Sequence, residues 1–187
     1  TRKESSAASD VYKRQRYMIV QGICMNIVVL CAGTSTEREV SIVTGKMVCD
    51  ALREKGHNAR VLDVFFGTYK NDKVNKDNFF SGEYDLDREI EHISSLNSEV
   101  TEMKSSRRRF FGDNVLDICM SADVVFMALH GANGEDGKVQ ATLDLCGVKY
   151  TGTGYLGSAL AMDKGMTKQL FVYNNVPTPK GCLLYTS

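Results

Sequence analysis

The chain has 187 residues, 43% of them apolar and 25% charged, which suits one domain, or one domain and a piece of another. Its 23 basic and 23 acidic side chains cancel, so charge offers no case for a nucleic-acid partner or an acidic membrane surface. No apolar run approaches the roughly 20 residues needed to span a bilayer, so no membrane partner is expected.

Residues 1–24 show no periodicity. They open TRKESSAASDVYKRQRY, polar and basic, without the apolar core of a signal peptide, and are expected to be a non-native or disordered leader. A natural start is Met25. The run Ile27–Leu30 is short, continuous, apolar and rich in β-branched residues, the pattern of a parallel strand buried on both faces. A helix is predicted over Ser41–Lys55, with Val43, Met47, Val48, Ala51 and Leu52 as its apolar stripe and Gly56 as its stop. Ala59–Val64 reads as a second strand, which makes a βαβ unit with parallel pairing.

Residues 67–114 are polar and turn-rich at first, as in a loop or short hairpin insertion, with Asp87–Met103 partly helical. Arg107, Arg108 and Arg109 read as a solvated patch. A short helix is predicted over Asp113–Met120 and a buried strand over Val124–Leu129. An amphipathic helix over Lys138–Cys146 and a short strand over Gly147–Thr151 follow. Ser158–Tyr173 is predicted as one helix, Val176–Pro179 as extended, and Cys182–Leu184 as the start of a last strand. The alternation argues an α/β fold with a parallel sheet. The six cysteines (24, 31, 49, 119, 146 and 182) form no C-x-x-C pair and read as free thiols of a reducing cytosol.

Three stretches carry candidate chemistry. Gly152-x-Gly154-x-x-Gly157 matches the letters of a dinucleotide fingerprint, but its context fails. The glycines follow several strands, and no carboxylate lies about 20 residues on to hold a ribose. Nearby Lys164 could meet a phosphate as a point charge, a weak signal alone. GTSTEREVS (33–41) joins the first strand to the first helix, where doubly wound sheets bind ligands. Glu37 and Glu39 there are either carboxylates complementing the helix N-terminus or holders of a substrate ammonium group. Finally, His130 with the glycine-flanked pair Glu135–Asp136 ends another strand and can face the same cleft. His130 could donate to a substrate carboxylate with Glu135 orienting it, and no metal-ligand spacing is evident.

Together GTSTEREVS (33–41), ALHGANGEDGKVQ (128–140), YTGTGYLGSALAMDK (150–164) and VPTPKG (176–181) resemble the D-alanine–D-alanine ligases, ATP-grasp enzymes of peptidoglycan synthesis, in order and spacing from about Met25 to Gly181. The middle segment resembles the longer form of these ligases. The resemblance implies a Rossmann-like, pre-ATP-grasp parallel sheet (25–152) followed by the truncated start of an ATP-grasp domain (153–187). It implies that ATP phosphorylates one D-alanine carboxylate and that the amine of a second D-alanine then displaces phosphate. Glu37 matches the carboxylate that binds the first D-alanine's ammonium, Val40 and Ser41 the adjoining substrate loop, His130 the histidine near the substrate carboxylate, and Lys164 a lysine on ATP phosphate.

The family's ligands for Mg2+ (or Mn2+), its oxyanion-stabilising arginine and its substrate-capping loop lie downstream of these motifs. The chain is therefore expected to be an incomplete and inactive N-terminal fragment of a cytoplasmic enzyme. The family's pairing through its first domain makes a homodimer a further expectation. A non-catalytic small-molecule-binding α/β domain is the alternative reading, and a dinucleotide-dependent oxidoreductase a third.

Overall fold

Three parallel strands, in the order β2-β1-β3, form the sheet of the computed structural model, which describes residues 24–71 and 73–181. β1 is Asn26–Cys31, β2 Asn58–Asp63 and β3 Val124–Met127. β1 is central, and its residues from Ile27 to Cys31 are all buried. Its side chains alternate between two cores, as a period of two requires. Val28 and Leu30 join Leu62, Val64, Val125, Ile118 and Leu143 on one face. Ile27, Val29 and Cys31 join Ala59, Val61, Ile42 and Ile93 on the other. Both faces are covered, which is why β1 reads as an unbroken apolar run.

Helices supply the two covers. α1 (Arg38–Glu54) and α2 (Leu86–Ser95) pack on the second core, and α4 (Val115–Ser121) and α5 (Lys138–Leu145) on the first. A 3-10 turn, Leu96–Glu99, links α2 to α3 (Val100–Ser106). α6 (Tyr155–Met162) and α7 (Lys164–Tyr173) follow. The expected doubly wound α/β architecture is present. No helix among the described residues is long and apolar enough to cross a membrane.

Several local expectations are corrected. α1 begins three residues earlier than predicted, because Ser35 makes the first turn: its hydroxyl accepts from Glu37 N–H at 3.1 Å and its carbonyl from Arg38 N–H at 3.2 Å. The buried face of α1 is Arg38, Ser41, Ile42, Gly45 and Cys49, whereas Val43 and Met47 of the predicted stripe are 59% and 68% exposed. Gly45 explains the rotation. A Cβ there would sit 2.8 Å from Cys31 Cβ, so the helix lies against β1 through its small residues. Val48 and Leu52 pack only at the border of that core.

Residues 147–151 make one parallel bridge, Val125 to Tyr150, and no full strand. The predicted long C-terminal helix is two, because Asp163 leaves helical geometry and its carboxylate accepts from Met166 N–H at 2.9 Å, capping α7. The 67–85 segment is turns and loop without a hairpin among its described residues. Arg108 and Arg109 are exposed as expected, with Arg109 paired to Asp113, but Arg107 is half-buried: its guanidinium lies 4.3 Å over the Phe65 ring and donates to Phe65 O. Cys31, Cys49 and Cys119 are buried free thiols, but Cys24 is exposed. The expected leader, apart from Cys24, and the expected strand at Cys182–Leu184 lie outside the described residues.

Candidate functional site

The chain leaves β1 toward β2 on one side and later returns to place β3 on the other. The carboxyl ends of β1 and β3 therefore flank the crevice where connections diverge, the ligand position of open α/β sheets. The loop after β1 turns sharply, with Ala32 at φ 65° and Gly33 at φ 85°. The loop after β3 turns at Gly131, φ 72°. Two hydroxyls tie the loops together. Ser35 Oγ donates to His130 O at 2.7 Å, and Ser41 Oγ donates to Ala128 O at 2.7 Å while accepting from Ala32 N–H at 2.8 Å.

This stitching brings Glu37 and His130 to one rim although 93 residues separate them (130 − 37). Ligand atoms of Glu37, His130 and Glu135 all lie within 4.8 Å of one another. Glu37 sits just before α1 without capping it, so its carboxylate is not spent on the helix end. His130 is half-buried, with its Nε2 3.1 Å from Thr44 Oγ1. Glu135 Oε2 accepts from Gly131 N–H at 2.7 Å. The hydrogen-bonded orienter of the imidazole is thus Thr44, and Glu135 braces the loop at Gly131. A side chain on Gly131 would crowd the site, its Cβ 3.2 Å from Ser35 Oγ and 3.7 Å from Glu37 Cδ. Beside them, burial pushes the Asp136 carboxyl up. Hydrogen bonds from the Lys138 ammonium and from the backbone N–H groups of Asn133 and Lys138 outweigh this and hold it below its usual value.

Of the other candidates, Ser41 is fully buried and its hydroxyl is used by Ala32 and Ala128, so it aligns the strand ends and does not face the cleft. Val40 is 54% exposed on α1. Lys164 begins α7 in a separate open cleft of about 880 Å³, which Lys168 and Lys180 also line. That donor set fits a polyphosphate. No carboxylate lines the cleft among the described residues, so it does not fit a Mg2+ ion by itself.

The sequence reading missed the support under Glu37. Arg38 is 5% exposed and donates to Gly33 O at 2.7 Å, to Asp63 Oδ2 at 2.6 Å and to Asn97 Oδ1 at 2.7 Å. Asp63 Oδ1 in turn accepts from Phe65 and Phe66 N–H at 2.8 and 3.2 Å. One buried ion pair therefore holds the ends of β1 and β2 and the loop that presents Glu37. The available signal was an acid closing a strand opposite a basic residue in the adjoining βα loop.

Residues 26–153 match the family model described as D-ala D-ala ligase N-terminus. The chain belongs to the D-alanine–D-alanine ligase family. It is 43% identical over 163 residues to the D-alanine–D-alanine ligase of Pediococcus pentosaceus, covering 86% of this chain and 46% of that protein. The Zymomonas mobilis ligase is 33% identical, over 85% of this chain and 36% of its own length. Among solved structures, the Bacillus anthracis ligase complexed with ATP aligns at a TM-score of 0.51 and 25% identity, over 84% of this chain and 38% of its own. The chain thus spans less than half the length of these ligase relatives, and the carboxyl ends of β1 and β3, with Glu37 and His130, lie within the matched region.

Proposed function

We propose that the crevice between β1 and β3 binds the first D-alanine of an ATP-dependent ligation that joins two D-alanines for peptidoglycan synthesis in the cytoplasm. The observation that carries this reading is the convergence of Glu37 and His130 on one rim. The Glu37 carboxylate takes the substrate ammonium, a charge-assisted contact worth about 1.5–3 kcal/mol. His130, steadied by Thr44, donates to the substrate carboxylate and fixes which oxygen points outward. Val40 closes the side of the cleft, and Ser41 aligns the strand ends that form its floor. Fixing the carboxylate in this way supplies the orientation on which an in-line phosphoryl transfer depends.

ATP, when bound, supplies the phosphoryl group that activates this carboxylate, with Mg2+ (or Mn2+) neutralising its charge. Lys164, together with Lys168 and Lys180, holds its phosphates. We divide the chain into a substrate-binding domain, 25–152, and the opening of an ATP-grasp domain, 153–187. The 187 residues alone do not turn over, because the phosphate cleft offers no metal-binding carboxylate among its described residues. A homodimer is favoured by the outward apolar pair Val43 and Met47 on α1.

A chimera tests the assignment. Residues 25–181 replace the matching segment of the Pediococcus pentosaceus ligase, and ATP-dependent D-alanyl-D-alanine formation is measured. Activity is expected, with a loss of about a hundredfold or more in Glu37→Gln. A folded chimera that makes no dipeptide, or one indifferent to Glu37→Gln and His130→Ala, sinks the reading. Phosphate release by the 187-residue chain alone would overturn the claim that it is inactive.

A further inference from the structure

We propose that Glu37, His130 and Glu135 form a binding site for a divalent cation of the Zn2+ class. One ligand atom from each lies within 4.8 Å of the other two. Ligands on a tetrahedral zinc ion stand roughly 3.3 Å apart, given metal–ligand bonds of about 2.0–2.1 Å. Closing that difference falls mainly to the exposed side chain of Glu37, because Gly131 N–H holds Glu135 Oε2. Among the described residues neither carboxylate has an ion-pair partner, so two negative charges flank one imidazole without a cation.

The supports of a metal site are in place. Thr44 Oγ1 lies 3.1 Å from His130 Nε2 and steadies the ring beside the two carboxylates. A ligating histidine commonly has such an outer partner. Gly131 N–H holds Glu135 Oε2 at 2.7 Å, which leaves the second oxygen to coordinate. One imidazole and two carboxylates suit zinc. Calcium requires six to eight oxygens, and magnesium requires an octahedral oxygen shell. Three protein ligands leave a position open to water. The metal and an amino-acid ammonium would occupy the same negative pocket and exclude each other. That exclusion rests on the proposed function, whereas the metal site stands without it.

The experiment titrates zinc chloride into the 187-residue chain while the imidazole NMR signals of His57, His92 and His130 are followed. The His130 signals are expected to shift to a 1:1 end point in the micromolar range, with those of His57 and His92 unmoved. Glu135→Gln and Glu37→Gln should each weaken binding about tenfold or more. Cobalt(II) bound in place of zinc should show no thiolate charge-transfer band. Unmoved His130 signals at millimolar zinc overturn the site, as does a thiolate–cobalt band or an affinity that both substitutions leave unchanged. The wild-type histidine signals decide the matter even where a variant does not fold. D-alanine and L-alanine chelate free zinc equally, so greater release by D-alanine supports the shared pocket. Equal release sinks the exclusion, and with it the role of Glu37 in substrate binding, while the metal site remains.

Discussion

Arg38 and Asp63 form an ion pair of 2.6 Å with side chains only 6% and 1% exposed, one at the start of α1 and the other at the end of β2. Each charge is also satisfied by backbone groups, Gly33 O for the guanidinium and the Phe65 and Phe66 N–H groups for the carboxylate. Such a pair tolerates no loss of one member, because the survivor is left charged and buried. Arg38→Met should therefore cost about 3–5 kcal/mol in urea unfolding. For a chain of this size that lowers Tm by roughly 10 °C. Asp63→Asn should cost a similar amount, and the double variant less than the sum of the two. Strict additivity would show that the pair does not act as a unit.

Gly45 lies where α1 touches β1 most closely. Alanine at this helical position gains up to about 1 kcal/mol of helix propensity. Its Cβ would meet Cys31 Cβ at 2.8 Å, and overpacking of that kind costs about 1–3 kcal/mol. Gly45→Ala should be net destabilising in chemical denaturation, and Gly45→Val more so. A stabilised Gly45→Ala protein would show that α1 can move off the sheet without penalty.

Thr44 acts through His130. Thr44→Val keeps the side-chain shape and removes the hydroxyl 3.1 Å from the ring. Stability should change by about 1 kcal/mol or less. In the chimeric ligase, kcat/KM for D-alanine should fall roughly tenfold to a hundredfold, by analogy with the loss of an outer-shell partner. Thr44→Ser should restore most of it. A variant with normal kinetics would remove Thr44 from the site.

Alkaline pH should unfold the protein from its core. Burial raises the thiol of Cys49 from 9.0 to about 11 and that of Cys119 from 9.0 to about 12, and burial also raises the Tyr84 hydroxyl, which accepts from Val61 N–H. These groups hold their protons more tightly folded than unfolded. Their contribution is complete below the unfolded thiol value near 9 and is lost as pH climbs toward the folded values. Unfolding free energy should be flat from pH 7 to about 8.5 and then fall by up to roughly 1.4 kcal/mol per pH unit for each group. Cys49→Ala should make that decline shallower. For the same reason iodoacetamide at pH 8 should label exposed Cys24 while sparing Cys31, Cys49 and Cys119 until the chain is unfolded.

The local code of the chain was enough for β1, β2, β3 and the helices that cover them, but not for residues 147–151, which make only a bridge, or for the break at Asp163. The apolar run Ile27–Leu30 carried the pattern of a parallel strand buried on both faces, and Gly56 in the left-handed region at φ 85° ends α1 where it was expected to. The motif loops were recognisable by their resemblance to the family, whereas the residues alone left Glu37 between a helix-end carboxylate and a holder of an ammonium group. Position in space was not legible. Which face of α1 turns inward depended on how closely Gly45 lets the helix approach Cys31, a property of two segments together. Arg38 looked like any polar residue of a loop until Asp63, 25 residues on, was placed opposite it. The meeting of Glu37, His130 and Glu135 likewise follows from the order β2-β1-β3. A one-dimensional pattern records periodicity and capping, which act within a few residues. Strand order and side-chain pairing across the sheet are long-range contacts, settled by which packing buries the apolar faces and satisfies the buried charges together.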